Sequence, residues 1–161
     1  MDVLASTLPP TSNLSAQKAW DFIKIADLSP LIERLVKIDK WKKKHAILAV
    51  QQYRNYIFLR KKYPSKELPP SKEIDAVWHA HLLHTKEYFM FCEQVFGYYL
   101  HHHPHVTNNS KADLEKLFNL TQELYKREFG SYINRVKKSV LVGMLEWVFI
   151  RMLTNEKGEV R

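Results

Sequence analysis

Residues 41–62 read WKKKHAILAVQQYRNYIFLRKK, and their apolar positions recur at intervals of three and four residues. At 100° per residue this spacing places the apolar side chains on one face of a helix and most of the basic ones on the opposite face. The expected inner face consists of Ala46, Ala49, Val50, Tyr53, Tyr56 and Ile57. The expected outer face consists of Lys43, Lys44, Gln51, Arg54, Asn55, Lys61 and Lys62. The stretch therefore predicts a long amphipathic helix with a basic outer face.

Two shorter helices are predicted before this stretch. The first runs from about Ser15 to Asp27, and Ser29-Pro30 supplies an N-cap and a first-turn proline for the second. The residues expected to face inward are Trp20, Ile23 and Leu28 for the first helix, and Leu31, Leu35 and Ile38 for the second.

Further helices are predicted after it. The turn-rich segment YPSKELPPS leads to Ser71, which can cap a fourth helix over about residues 72–96 that Gly97 ends. Its expected inner stripe consists of Ile74, Trp78, His81, Leu82, Thr85, Phe89, Cys92 and Phe96. A fifth helix is expected between Ser110, as its cap, and Gly130.

The predicted fold is all-α, a compact bundle of about six helices in a single domain. Residues 1–14 are expected to be a flexible lead and residues 15–130 to form the helical domain. Residues 131–161 are expected to contain a C-terminal helix that packs on the domain or docks a partner.

The length and composition are those of one domain, which we expect to be cytoplasmic. A chain of 161 residues can bury about two-thirds of its unfolded surface, and 45% hydrophobic residues with only 4 Gly exclude a disordered or collagen-like protein. Cys92 is the single cysteine, so an intramolecular disulfide is excluded, and residues 1–15 lack the pattern of a secretory signal. The apolar stretch 139–153 is shorter than the roughly 20 residues that cross a bilayer, so no transmembrane segment is expected.

The net charge of +8 is unevenly distributed. Residues 34–66 hold eleven Lys and Arg against one acid, whereas residues 73–105 hold four acids against one Lys and contain seven of the eight histidines. The basic segment would suit nucleic acid, an anionic membrane surface or an acidic protein. Its tyrosines fall largely on the apolar side of the helix, so nucleic acid is not expected. A solvated face is the simplest interpretation, with a protein partner on helix 41–62 as the alternative.

The histidines suggest a metal site. Asp75 and His79 are spaced i,i+4 on the predicted fourth helix, the spacing by which a helix presents two side chains to one ion. His79 and His81 diverge by about 200°, so a regular helix cannot direct both at the same point. A second group, His101, His102, His103 and His105, follows Gly97 and would reach the first only if the chain folds back. Imidazoles with a carboxylate suit Zn²⁺ or another divalent transition metal.

By spacing alone, two interpretations of these histidines stand side by side. His81 lies on an apolar stripe, where a histidine is usually a core residue with a hydrogen-bond partner. Asp75 and His79 would then be an ordinary pair on the helix surface. The protein would be a non-enzymatic interaction module whose histidines form a structural hydrogen-bond network.

Residues 69–104, PPSKEIDAVWHAHLLHTKEYFMFCEQVFGYYLHHHP, resemble the signature of the glycine-rich domain-containing protein-like family, a domain of unknown function. The matching residues are Pro70, Ser71, Ile74, Asp75, Trp78, His79, His81, Thr85, Tyr88, Cys92, Gly97, His101, His102 and Pro104. His84, His103 and His105 lie outside this D-x-x-W-H-x-H and H-H-x-P pattern. With 4 Gly, the chain lacks the glycine-rich region that gives the family its name.

The resemblance assigns no reaction, but a pattern that pairs an Asp and two His with a distant His-His favours a shared polar or metal site over packing alone. We therefore expect a divalent transition metal, zinc before others, bound by Asp75, His79, His81 and His101 or His102. Asp75 would ligate the ion or orient an imidazole. If the protein is an enzyme, a metal-activated water would make it a hydrolase.

Overall fold

The computed structural model describes residues 15–103 and 110–134. These residues form six α-helices and no β-strand, which confirms the predicted all-α fold. The helices are α1 (Ala16–Ile25), α2 (Ser29–Lys37), α3 (Lys43–Lys62), α4 (Lys72–Leu83), α5 (Thr85–Val95) and α6 (Lys111–Phe129). They pack around one hydrophobic core, as expected for a single domain.

Helix α3 is the central element and packs against α1, α2, α4 and α6. All six of its predicted inner residues are buried. The prediction of a fully exposed outer face is wrong at Asn55, which is buried and donates a hydrogen bond of 2.8 Å to the Tyr125 hydroxyl. Arg54 is half-buried and donates to the carbonyls of Ile23 and Ala26. A helix with neighbours on several sides has no continuous solvent face, so its polar side chains bond the adjacent helices.

The predicted helix over residues 72–96 is two helices in the structure. His84 ends α4 and precedes α5 with φ −90° and ψ 65°, outside the helical region. Its amide donates to the carbonyl of His81 at 3.0 Å, which tightens the last turn of α4. The break lets α5 pack on α1 as well as on α4.

The break also changes which residues of α5 face inward. A continuous helix would bury Phe89, which is 51% exposed. The buried positions of α5 are instead Tyr88, Phe91, Cys92 and Val95, a new i, i+3, i+4, i+7 series that begins after His84. The predicted stripe is correct at Ile74, Trp78, His81, Cys92 and Phe96, which are buried.

Three helix ends form as the sequence predicts. Ser71 and Ser110 accept hydrogen bonds from the amides of Ile74 and Asp113, and Gly130 ends α6 with φ 74°.

The start of α2 differs from the prediction. Leu28 is at its N-cap position, and Ser29 lies inside the helix with its amide bonded to the Asp27 carboxylate at 2.9 Å. Asp27 therefore supplies the oxygen that the prediction assigned to Ser29. Ile38, expected on the inner face, lies beyond the end of α2 and is 62% exposed.

The linker between α3 and α4 fixes the position of the candidate site. Leu68 is buried, and its carbonyl accepts a hydrogen bond of 2.8 Å from the Tyr56 hydroxyl of α3. The neighbouring carbonyl of Pro69 accepts one of 3.1 Å from Thr121 of α6. The first turn of α4 therefore starts from a segment held by two other helices.

The predicted lead over residues 1–14 and the predicted C-terminal helix lie outside the described residues, as do Pro104 and His105. Among the six described helices, none combines the length and apolar character that a bilayer crossing requires.

Candidate functional site

One carboxylate and one imidazole side chain meet on the first two turns of α4. His79 Nδ1 lies 3.3 Å from Asp75 Oδ2 and 2.9 Å from the Asp75 carbonyl oxygen. Both residues are accessible, with 37% of the Asp75 and 56% of the His79 side chain exposed. The structure places them together, as the i,i+4 spacing predicts.

His102 reaches the same point from the loop after α5. Gly97 turns the chain with φ 76°, and the Tyr88 hydroxyl donates to the Leu100 carbonyl at 2.6 Å. His102 Nε2 then lies 2.8 Å from Asp75 Oδ1. The chain therefore folds back after Gly97 and delivers one imidazole of the second histidine group to Asp75.

Two ring contacts hold the His102 imidazole in place. Its centroid lies 4.4 Å from that of Trp78 in an edge-to-face arrangement and 4.5 Å from that of His79. Only 9% of the His102 side chain is exposed. A ring that is packed on two sides loses little further freedom when it binds a ligand.

Asp75, His79 and His102 each offer a ligand atom, and these atoms all lie within 4.8 Å of one another. A tetrahedral zinc ion with bonds of about 2.0–2.1 Å holds its ligand atoms about 3.3 Å apart. His102 Nε2 lies 2.8 Å from Asp75 Oδ1 and His79 Nδ1 lies 3.3 Å from Asp75 Oδ2, both close to that value. One ion would therefore need to draw together ligand atoms that are at most 4.8 Å apart.

His81 belongs to a different environment. It is buried in the core, and its Nδ1 lies 2.9 Å from the Tyr53 hydroxyl. Its ring packs edge-to-face on Tyr88 and Phe91. Burial, together with a smaller effect of the neighbouring His84, lowers the pKa of His81 to about 4. His81 is therefore a neutral core residue that the structure does not bring to Asp75.

His101, the neighbour of His102, also lies apart from the cluster. It is exposed, and its ring contacts Tyr99 and His103 at centroid distances of 4.9 and 6.3 Å. Successive residues of an extended loop point in opposite directions, so only one of the two histidines can face α4.

A groove of about 250 Å³ lies beside the cluster, between α2 and α4. His79 lines this groove and also belongs to the cluster. The other lining residues are Arg34 and Leu35 of α2, Asp39 and Trp41 of the following loop, and Ala76, Ala80 and Leu83 of α4. A ligand in this groove would therefore lie beside His79.

Arg34, Asp39 and Trp41 line the groove but carry no site signal in the sequence pattern. Arg34 is one of eleven cations in the basic segment, and the other two lie in the short connection before α3. The sequence does contain one indication for Arg34. It directly precedes the buried Leu35 and follows the buried Leu31 by one turn, so its side chain lies at the edge of the buried face of α2.

A family model matches residues 19–139 of the chain, well over half of its length. The chain belongs to the UCP032817-like family. This family is uncharacterised, and the match carries no glycine-rich designation, so the resemblance to the glycine-rich domain-containing protein-like family stays a prediction. No curated protein and no solved structure matches the chain.

The part that the UCP032817-like model covers includes all the elements of the candidate site. Asp75, His79 and His102 lie within it, as does Arg34 on the other side of the groove. The cluster and the groove are therefore in the part of the chain that defines family membership.

Proposed function

We propose that Asp75, His79 and His102 bind a divalent transition-metal ion, with zinc as the preferred ion. The observation that supports this is the convergence of three ligand atoms within 4.8 Å, from two separate parts of the chain. Two imidazole nitrogens and a carboxylate oxygen form a donor set that zinc accepts and that magnesium and calcium do not favour.

The charges and contacts around the cluster support the same proposal. His102 Nε2 donates a hydrogen bond of 2.8 Å to Asp75 Oδ1, and a metal ion would take the place of the hydrogen between them. Residues 73–105 carry more acids than lysines, which favours a cation. The packing of His102 on Trp78 reduces the entropy that its ligation would cost.

Three protein ligands leave at least one coordination position for water. Zinc sites with three protein ligands are typically catalytic, because the ion lowers the pKa of its bound water to about 7. The exposure of His79 and the groove beside it would give a substrate access to that water. The reaction class that we propose is therefore hydrolysis by a metal-activated water.

Metal analysis of protein that is purified without a histidine tag tests the binding proposal. We expect about one zinc ion per chain. Replacing a residue that only hydrogen-bonds a metal ligand lowers metal affinity by up to about 100-fold. Because His102 would be a ligand itself, we expect His102→Ala to lower the zinc affinity by more than that. The matched control is His101→Ala, which removes the adjacent imidazole outside the cluster and should bind zinc like the wild type. Wild-type protein that takes up no zinc would overturn the proposal.

The hydrolytic part has its own test. Zinc-loaded and EDTA-treated protein are compared on 4-nitrophenyl acetate and 4-nitrophenyl phosphate. We expect a zinc-dependent release of nitrophenol from one of them that His102→Ala abolishes and His101→Ala keeps. Stoichiometric zinc with no zinc-dependent release from either compound would overturn hydrolysis and leave metal binding intact.

If zinc does not bind, the interaction-module hypothesis becomes the better explanation of the same contacts. The Asp75–His102 hydrogen bond and the packing on Trp78 would then serve to hold the loop after α5 against α4. A partner would dock on the exposed basic side chains of helix 41–62, among them Lys43 and Lys44. Docking through the predicted C-terminal helix concerns residues outside the described ones.

A further inference from the structure

The groove beside His79 exists because α4 presents small side chains to α2. Ala76, His79, Ala80 and Leu83 follow an i, i+3, i+4, i+7 series along one face of α4. Two of these four residues are alanines, whose short side chains leave a gap between this face of α4 and α2. The resulting volume is about 250 Å³, which is the volume that about eight water molecules occupy in liquid water. A groove of this size suits a small molecule rather than a macromolecule.

Arg34 lines the groove, and its guanidinium has one donor without a partner. Its Nε is buried and has no hydrogen-bond partner, and no carboxylate of the described residues lies within 4.0 Å of its guanidinium. Glu33, the nearest acid on the same helix, is paired with Lys37 at 2.8 Å. A buried donor without an acceptor is unfavourable, and an oxyanion is the acceptor that a guanidinium binds best.

The surroundings of the groove also favour an anion. Between residues 39 and 44 the chain carries four lysines against Asp39 alone. All four are exposed, and this segment includes the loop that lines one wall of the groove. Clustered cations at the mouth of a cleft raise the local concentration of anionic ligands.

Trp41 supplies an apolar wall. Its ring stacks on that of His45 with centroids 4.3 Å apart and an interplanar angle of 21°. Lys40, just before it, has a φ of 58°, a conformation that non-glycine residues rarely adopt. A stacked indole in a fixed position is a surface for the hydrocarbon part of a ligand.

We propose that this groove binds a small organic anion, a phosphate or carboxylate compound, as the substrate of the metal centre. The oxyanion pairs with Arg34, the apolar part packs on Trp41 and Ala80, and the opposite end reaches the ion at His79. This inference rests on the proposed metal site, because only a bound ion makes the ligand a substrate.

Titration of the ¹⁵N-labelled full chain by nuclear magnetic resonance tests it, with phenylphosphonate and benzoate as probes and phenol as the uncharged comparison. We expect saturable shifts of the Arg34 Nε–H and Trp41 indole signals with one or both anions and none with phenol. In Arg34→Gln the affinity should fall by about tenfold or more. Zinc should raise the affinity for the same anion by about threefold or more in the wild type, and not in His102→Ala.

The matched control is Lys37→Gln, which removes the same charge from an exposed position on the same helix outside the groove. Its affinity for the probes should stay within about twofold of the wild type. If Arg34→Gln does not fold, Ala76→Leu fills the groove without changing the charge and should abolish the shifts.

The outcomes separate this inference from the metal proposal. Zinc uptake without binding of either anion tighter than about 10 mM would overturn the groove inference alone. Equal anion affinity in the wild type and Arg34→Gln would overturn it as well. Absence of zinc binding would overturn the assignment of any bound anion as a substrate.

Discussion

At position 81 the protein keeps an imidazole neutral by burying it. Its neighbours are Tyr53, Tyr88 and Phe91, together with His84, and no carboxylate of the described residues lies within 4.0 Å of it. Burial also raises the pKa of Tyr53 well above its usual value, so the Tyr53 hydroxyl keeps its proton and can donate it to His81 Nδ1. Protonation of His81 would place a hydrogen on Nδ1, so that Nδ1 could no longer accept the hydrogen bond from Tyr53.

The depressed pKa of His81 makes the stability of the protein depend on pH. The unfolded chain takes up this proton near pH 6.5 and the folded chain only near pH 4, so the free energy of unfolding falls as the pH drops between these values. The His81 contribution to this fall is about 2 kcal/mol between pH 7 and pH 5. Urea denaturation in metal-free buffer at the two pH values measures it.

The comparison variants for this prediction are His81→Asn and His103→Gln. His81→Asn should show a fall between pH 7 and pH 5 that is smaller by about 2 kcal/mol than in the wild type. His103→Gln changes an exposed imidazole and should keep the wild-type dependence. Identical pH dependence in the wild type and His81→Asn would show that the folded protein protonates His81 as readily as the unfolded chain does, and would contradict its burial as a neutral imidazole.

Cys92 is inert for the same physical reason. It is fully buried, and burial raises the pKa of its thiol. Because the thiolate is the reactive form, we expect no reaction with a thiol reagent such as 5,5′-dithiobis(2-nitrobenzoate) in the native protein. One thiol per chain should react after denaturation, and a fast reaction of the native protein would contradict the buried position.

Helical spacing predicted part of the candidate site, and the limit of the prediction lies where the helix ends. It placed Asp75 and His79 together and sent His81 to another face, and both placements agree with the structure. The choice between His101 and His102 depends on a loop without periodicity. The contacts that make the choice, to Trp78 and Asp75, are made by residues 24 and 27 positions earlier in the chain.

Among the elements, the division of the predicted fourth helix into α4 and α5 had no strong signal in the sequence. The segment LLHTKE contains no glycine or proline, and its residues are compatible with a helix. The cause is tertiary. Tyr88 at the start of α5 accepts a hydrogen bond from Trp78 of α4 and donates one to Leu100, which requires α5 to change direction.

The end of α6 was predictable because its signal is local. Gly130 has a φ of 74°, and a Cβ added there would meet nothing within 4 Å. Gly130→Ala should therefore lower the free energy of unfolding by about 1 kcal/mol through backbone strain alone. Gly130→Asn should cost less, since asparagine tolerates this conformation. Chemical denaturation of the three proteins checks this order, and an Ala variant as stable as the wild type would contradict it.

At the scale of the whole molecule, the basic segment does not form one continuous surface. Arg54, near the middle of α3, donates to the carbonyls of Ile23 and Ala26, and Lys62, at its end, pairs with Glu128 of α6. The other cations of α3 lie at the two ends of this 20-residue helix, about 30 Å apart. This distribution fits the expectation against nucleic-acid binding, which stays a prediction. It leaves the lysines of residues 40–44 as the part closest to the groove.

Metal binding should stabilise the whole fold, because its ligands join α4 to the loop that closes the chain after α5. An ion that binds only the folded state at 100 times its dissociation constant adds about 2.7 kcal/mol to the free energy of unfolding. In a chain of 161 residues this corresponds to a rise in Tm of about 5–10 °C, measurable by calorimetry with and without zinc. His101→Ala should keep this rise and His102→Ala should lose it. Magnesium, which prefers oxygen ligands, should produce a much smaller rise. An equal rise in both variants would mean that zinc binds elsewhere and that the Asp75–His102 contact is a hydrogen bond that only holds the loop.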